Sequence, residues 1–230
     1  MIHKLKKLGM ALVMAVALGA VMACSALAAG AFTGEAGKTI TGTQINGSIT
    51  GKVTNKFELA TSVGTFKCEE VTFDGTTGFA QTAEQTLTPA FNKCLLAGTI
   101  PVAITMNSCD FLFTAGNTVV ATDANTIAAT VHIVCPPGKV IDVHATAVGN
   151  NCHITFEAQN NLSGIELHNR GGAGSAMDVE STIDIAGLSY VVHGSECING
   201  PFTTELTKNG TLKGVATIQS TASSVGITVH

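Results

Sequence analysis

In Cys109-Asp110-Phe111-Leu112-Phe113, the two-residue period of a strand puts Cys109, Phe111 and Phe113 on one face. In Val131-His132-Ile133-Val134-Cys135 it does the same for Val131, Ile133 and Cys135. Laying the two runs antiparallel with Cys109 opposite Cys135 sets Phe111 against Ile133 and Phe113 against Val131. All three pairs then share one side of a sheet, and a slip of one residue would turn the whole set over. Directly opposed strand positions bring Cα atoms within disulfide range. The stretch therefore predicts a hairpin stapled by its own cysteines.

The interval Cys68 to Cys94 has the same length and passes the same test. With Cys68 opposite Cys94, Val71 meets Phe91 and Glu69 meets Lys93, an apolar pair and a pair of opposite charges. Six cysteines follow residue 28: Cys68, Cys94, Cys109, Cys135, Cys152 and Cys197. Six allow fifteen connectivities. Register selects 68–94 and 109–135, which leaves 152–197 by elimination. The plainer alternative is six buried thiols. A zinc site is disfavoured because no Cys-x-x-Cys occurs.

The seventh cysteine, Cys24, lies in a different kind of segment. Lys4, Lys6 and Lys7 precede an apolar run from Leu8 to Met22, and Ala26-Leu27-Ala28 follows as a small-x-small site. Residues 1–28 read as a secretory signal, with Ala29 the expected mature N-terminus. The alternative is a lipid anchor on Cys24, since Val21-Met22-Ala23-Cys24 loosely matches a lipobox. After cleavage, 9 basic and 16 acidic residues remain, a net charge of −7. That balance argues against a nucleic-acid or polybasic membrane partner. No second apolar stretch of spanning length follows, so no transmembrane anchor is expected after cleavage.

Residues 29–230 are read as a single all-β domain. Thr, Val, Ile, Ala and Gly dominate in short alternating runs. Expected strands include Thr39–Thr43, Val71–Phe73, Gln85–Phe91, Pro101–Met106, Thr130–Cys135, Lys139–Thr146, His153–Glu157, Asp178–Ile185, Leu188–His193, Phe202–Leu206 and Thr211–Ile218. At most a turn of helix is expected, near Ala80 to Gln85. Turns are expected at Pro136-Pro137-Gly138, Asn209-Gly210 and Asn46-Gly47, and loops at Gly149-Asn150-Asn151 and Gly171 to Gly174. The predicted architecture is a β-sandwich of meandering antiparallel hairpins, with a partly closed β-barrel as the alternative. A transmembrane barrel would carry aromatic girdles, and this chain has one Tyr and no Trp.

Met106-Asn107-Ser108-Cys109 followed by Ile133-Val134-Cys135-Pro136-Pro137-Gly138-Lys139 resembles an uncharacterised group of exported bacterial proteins with a Cys-stapled all-β fold. The resemblance spans roughly residues 60–160. It implies export and that fold, and transfers no catalytic or binding residue.

Chemistry is sparse. There is no Gly-x-Ser-x-Gly elbow, P-loop or dinucleotide fingerprint, and Gly174-Ser175-Ala176 and Gly194-Ser195-Glu196 come no closer than loops. The missing Trp removes the usual sugar-stacking platform. No catalytic residue or cofactor is assigned. One metal candidate arises locally. If Pro136-Pro137-Gly138 folds Lys139 back onto Cys135, His132 falls opposite Asp142 and His144 shares their face, a set suited to Zn²⁺ or Cu²⁺. The plainer reading is a solvated face, since Val131, Ile133, Ile141 and Val143 fill the other side. The expectation is a non-enzymatic exported protein with a structural, adhesive or binding role at or beyond the cell surface, contacting surfaces or itself through sheet faces. The alternatives are a secreted hydrolase with a dispersed site and a carrier of a small ligand or metal.

Overall fold

The computed structural model describes residues 30–34, 36–45, 48–49, 52–53, 56–78, 81–120, 125–145, 152–170, 178–194, 197, 205–220 and 226–228. The signal-like segment, Asn46-Gly47, Gly149 to Asn151, Gly171 to Gly174 and most of the expected strand Phe202–Leu206 lie outside the described residues.

Alternation dictates the local structure. Residues 126–134 and 141–145 bury every second side chain almost throughout, and residues 84–90 do so strictly. Such segments form strands with one dry face. In chain order they are β1 (Ala31–Thr33), β2 (Thr39–Gln44), β3 (Ser48–Ile49), β4 (Lys52–Val53), β5 (Phe57–Thr61), β6 (Gly64–Thr76), β7 (Gln81–Thr82), β8 (Glu84–Leu96) and β9 (Ile100–Thr105). Then come β10 (Asp110–Val119), β11 (Thr126–Val134), β12 (Ile141–Ala145), β13 (His153–Phe156), β14 (Gln159–Arg170), β15 (Asp178–His193), β16 (Thr207–Ser220) and β17 (Gly226–Thr228). Among the described residues there is no helix; Gln81–Thr82 and the residues from Glu84 on, where a helical turn was expected, are strand.

The pairings are antiparallel and return to their start. The ring β6–β8–β10–β11–β14–β15–β16–β2–β6 has eight members. At the other end of the long strands the ring is β6–β8–β9–β12–β13–β15–β16–β5–β6. Long strands β6, β8, β15 and β16 run through both rings. The remaining positions are bent strands, each made of two pieces: β9 with β10, β11 with β12, β13 with β14, and β2 with β5. The meander of hairpins is as expected, and the closed pairing realises the barrel alternative rather than two separate sheets.

Three of the bends are stapled to their neighbours. At the first, the Cys109 N–H donates to Met106 O at 2.8 Å, with Asn107 and Ser108 at φ of 50° and 67°. Asn tolerates that left-handed geometry better than most residues. At the second, the Lys139 N–H donates to Pro136 O at 2.9 Å. The Cys109–Cys135 disulfide and a bond from Asn107 Nδ2 to Val140 O at 3.0 Å tie these two bends together. At the third, the Gln159 side chain stands in for a strand peptide. Its Nε2 donates to Ser189 O at 2.8 Å and its Oε1 accepts from the Ser189 N–H at 2.7 Å. These contacts satisfy β15 main-chain groups between its pairings with β13 and β14.

The disulfides are Cys68–Cys94, Cys109–Cys135 and Cys152–Cys197, the expected connectivity. They place the chain in an oxidising, non-cytoplasmic environment. Phe111 pairs with Ile133, Phe113 with Val131 and Val71 with Phe91 in the expected register. Positions 69 and 93 stay opposed, since Cys68 pairs with Cys94 and Glu70 with Asn92, but the ion pairs sort differently. Lys93 adopts φ 52°, and its ammonium reaches Glu70 at 3.1 Å, while Glu69 pairs with Lys56. Both strands carry two successive outward residues there, a matched break in the alternation.

Asn209-Gly210 is not a turn. It lies inside β16, where Gly210 pairs with Leu188. A Cβ on Gly210 would sit 3.0 Å from Leu188 Cβ and from Leu188 O, so glycine serves a close strand approach there. The expected strands 178–185 and 188–193 are one strand, with a bulge around Gly187 at φ 79°.

The barrel interior is apolar and filled. Phe57, Phe66, Phe73, Leu87, Ile154, Ile165 and Tyr190 are among its most buried side chains. Among the described residues, a gap of about 40 Å³ bounded by Phe57, Phe91, Ile104, Val143 and Phe156, among others, lies at mid-barrel. The outer surface carries Thr, His and cross-strand ion pairs such as Lys67–Glu58, Arg170–Glu180 and Lys213–Asp184. Apolar inside and polar outside is the inverse of a transmembrane barrel.

Candidate functional site on the outer sheet face

The sequence-derived trio of His132, Asp142 and His144 is not brought together. The Pro136-Pro137-Gly138 turn redirects the chain instead of reversing it, so β11 and β12 do not pair. β11 lies between β10 and β14, and β12 lies between β9 and β13. His132 is therefore opposite Leu112, with its Nδ1 3.2 Å from Asn160 Oδ1. His168 is bonded through Nδ1 to Thr126 Oγ1 at 2.7 Å.

Asp142 and His144 acquire other neighbours. Ile141, Val143 and Ala145 are buried, so Asp142 and His144 point outward. The neighbouring strand β13 buries Ile154 and Phe156 and turns His153 and Thr155 to the same outer side. Register then aligns three histidines across three strands. His144 is directly opposite His153, and His153 is directly opposite His193. Two residues along, on the same face, Asp142 is opposite Thr155.

The imidazoles of His144 and His153 stack, with centroids 4.0 Å apart and planes 17° from parallel. His153 Nδ1 is 3.3 Å from Asp142 Oδ1, and His193 Nε2 is 2.9 Å from Thr155 Oγ1. The carboxylate and the hydroxyl engage different imidazoles, so no Asp–His–Thr relay forms. Asn107 and Val140, from the first two bends, wall the open depression in which His153, Thr155 and His193 sit. The Cys152–Cys197 disulfide joins the residue before His153 to the segment after His193. The row thus stands on a covalently stapled sheet.

Among the described residues, no three His, Cys, Asp or Glu side chains already converge as metal ligands. His153 and His193 escaped the sequence reading although the outward direction of His153 was legible. The missing step was the neighbour of β12, which depends on how the chain leaves Ala145. No protein family, curated protein or solved structure matches this chain.

Proposed function

We propose that this chain is an exported, non-enzymatic β-barrel with a structural, adhesive or binding role at or beyond the cell surface, acting through its outer face. The observation that carries this reading is the distribution of side chains. Among the described residues the interior is packed mainly with apolar groups, the mid-barrel gap of about 40 Å³ is too small for a ligand of more than a few atoms, and most polar groups line the outside. The three disulfides and the signal-like residues 1–28 support export.

The test is expression of the full chain in an export-competent bacterium, with mass spectrometry of the extracellular fraction. The expected species starts at Ala29 and has all six remaining cysteines bridged; a lipid-modified Cys24 would place it on the envelope instead. Labelled mature protein should then bind intact cells saturably or self-associate in sedimentation. Cytoplasmic retention, or neither kind of association, would overturn the proposal.

A further inference from the structure

We propose that the outer histidine row is a binding site for a divalent transition ion of the Zn²⁺, Ni²⁺ and Cu²⁺ class, with His144 and His153 as ligands and Asp142 orienting His153. This deepens the surface-binding reading, since the row lies on that face, but it rests on contacts that hold whether or not the chain is exported.

The first argument is placement. Imidazole is the ligand of choice for these ions. Directly opposed cross-strand positions bring Cβ atoms about 4.5–5.5 Å apart, close enough for two side chains to share one ion. His144, His153 and His193 occupy three such positions in succession. Apolar partners on the inner side hold β12 and β13 in register, so the row cannot slip without turning Val143 and Ile154 outward.

The second argument is the contact between Asp142 and His153. A carboxylate 3.3 Å from Nδ1 accepts its proton and leaves Nε2 as the lone-pair nitrogen. Metal-binding histidines are commonly oriented by an outer carboxylate in this way, and the carboxylate also raises the basicity of the ligating nitrogen. The His153 tautomer suited to a metal is thus favoured by a contact already present.

The third argument is the small movement required. A tetrahedral ion with Zn–N bonds of about 2.0–2.1 Å needs its two nitrogens about 3.3 Å apart. The rings of His144 and His153 are 4.0 Å apart at their centroids. Stacked rings aim their lone pairs side by side, so the pair must splay about the terminal side-chain torsion. That torsion is broad and soft in histidine. Both side chains are partly exposed on the outer face, so the rings can splay toward solvent. His193, now bonded to Thr155, is one strand further along and can supply a third nitrogen by exchanging that bond. Water would complete the coordination.

The test uses the oxidised mature chain and Zn²⁺ alone, titrated by calorimetry in a non-coordinating buffer, with imidazole signals followed by NMR. One ion per chain should bind, shifting the signals of His144 and His153. Because these side chains face outward, His153→Asn and His144→Asn should keep the parent melting temperature, and each should weaken binding at least tenfold. Asp142→Asn should weaken it severalfold, while His132→Asn, whose side chain contacts Asn160 instead of the row, should leave it within twofold. No binding at millimolar Zn²⁺, full retention in the His144→Asn/His153→Asn double variant, or an equal loss in His132→Asn would overturn the site. A negative result would leave extracellular recovery and cell binding untouched, so the two proposals fail separately.

Discussion

Tyr190→Phe is the sharpest test of how the barrel is locked. Tyr190 is fully buried, and its ring packs against Phe156 at 5.8 Å. Its hydroxyl donates to Asn209 Oδ1 at 2.6 Å and accepts from the Ser62 N–H at 2.7 Å. One oxygen therefore links β15, β16 and the turn between β5 and β6. Phenylalanine keeps the ring and its packing, so no cavity larger than the missing oxygen results. What remains is an amide N–H and a side-chain carbonyl that each lose a partner. A buried polar group left unpaired costs about 1–3 kcal/mol. Ser62 and Asn209 are themselves exposed and can turn to water, so each loss falls at or below the low end of that range, for a total of about 1–2 kcal/mol. In a domain of this size that lowers the melting temperature by about 2–8 °C. The substitution removes the only tyrosine of a chain without tryptophan, so unfolding in urea must be followed by far-UV circular dichroism. The midpoint should fall with the slope unchanged. A double-mutant cycle with Asn209→Ala should show clear coupling. A loss below about 0.5 kcal/mol, or zero coupling, would refute the reasoning.

Other consequences follow from single contacts. Gly214→Ala would place a Cβ 2.6 Å from the ring of buried Phe57, and overpacking of that kind should cost about 1–3 kcal/mol in equilibrium unfolding. Replacing Cys109 and Cys135 together by Ser opens a 26-residue loop, and the loop-entropy relation gives a loss of about 3–4 kcal/mol, measurable in denaturant. Gln159→Ala should destabilise by about 2 kcal/mol, because a Ser189 N–H and C=O lose their partner, and should speed amide exchange at Ser189. Glu69 titrates below its ordinary 4.5, chiefly because Lys56 donates a hydrogen bond to it and sits beside it; partial desolvation opposes this and the charge of Lys93 adds to it. A lowered folded value means the pair's contribution is present above the unfolded value and lost as pH falls through the folded one. The stability gap between parent and Lys56→Met should therefore be constant near neutrality and close in strong acid.

The hairpin between Cys109 and Cys135 was legible in full, because apolar residues spaced by two admit a single register once the cysteines are opposed. The same logic read Val71 against Phe91 correctly, and set Glu69 opposite Lys93 without foreseeing that their closest ion pairs go to Lys56 and Glu70. Charged outward side chains do not feel the core, and a local break in alternation re-sorted them. Asn209-Gly210 carried the strongest short turn signal, yet tertiary contacts overrode it: Leu188 needed a neighbour without a Cβ, and Tyr190 needed the Asn209 oxygen. Pro136-Pro137 was correctly read as a change of direction. Whether such a turn reverses a strand or merely bends it depends on which neighbours are free to pair, and that is a property of the closed ring. The histidine row was hidden for the same reason. Its members are separated by loops in sequence and become adjacent only when β12, β13 and β15 take their places around the barrel.

The three disulfides share a property that matters for how the molecule breathes. Each joins strands, or their flanks, that are neighbours along the meander: β6 with β8, β10 with β11, and the start of β13 with the end of β15. The joint where β16 meets β2 and β5 is held by hydrogen bonds and packing alone. This joint also brings together the parts of the ring most distant in sequence, so loop-closure entropy makes it the contact expected to form last and to part first. Opening there unrolls the barrel into a curved sheet without breaking a covalent bond. Amides of β2 and β5 should accordingly exchange with solvent well before those of the stapled hairpins, even in fully oxidised protein.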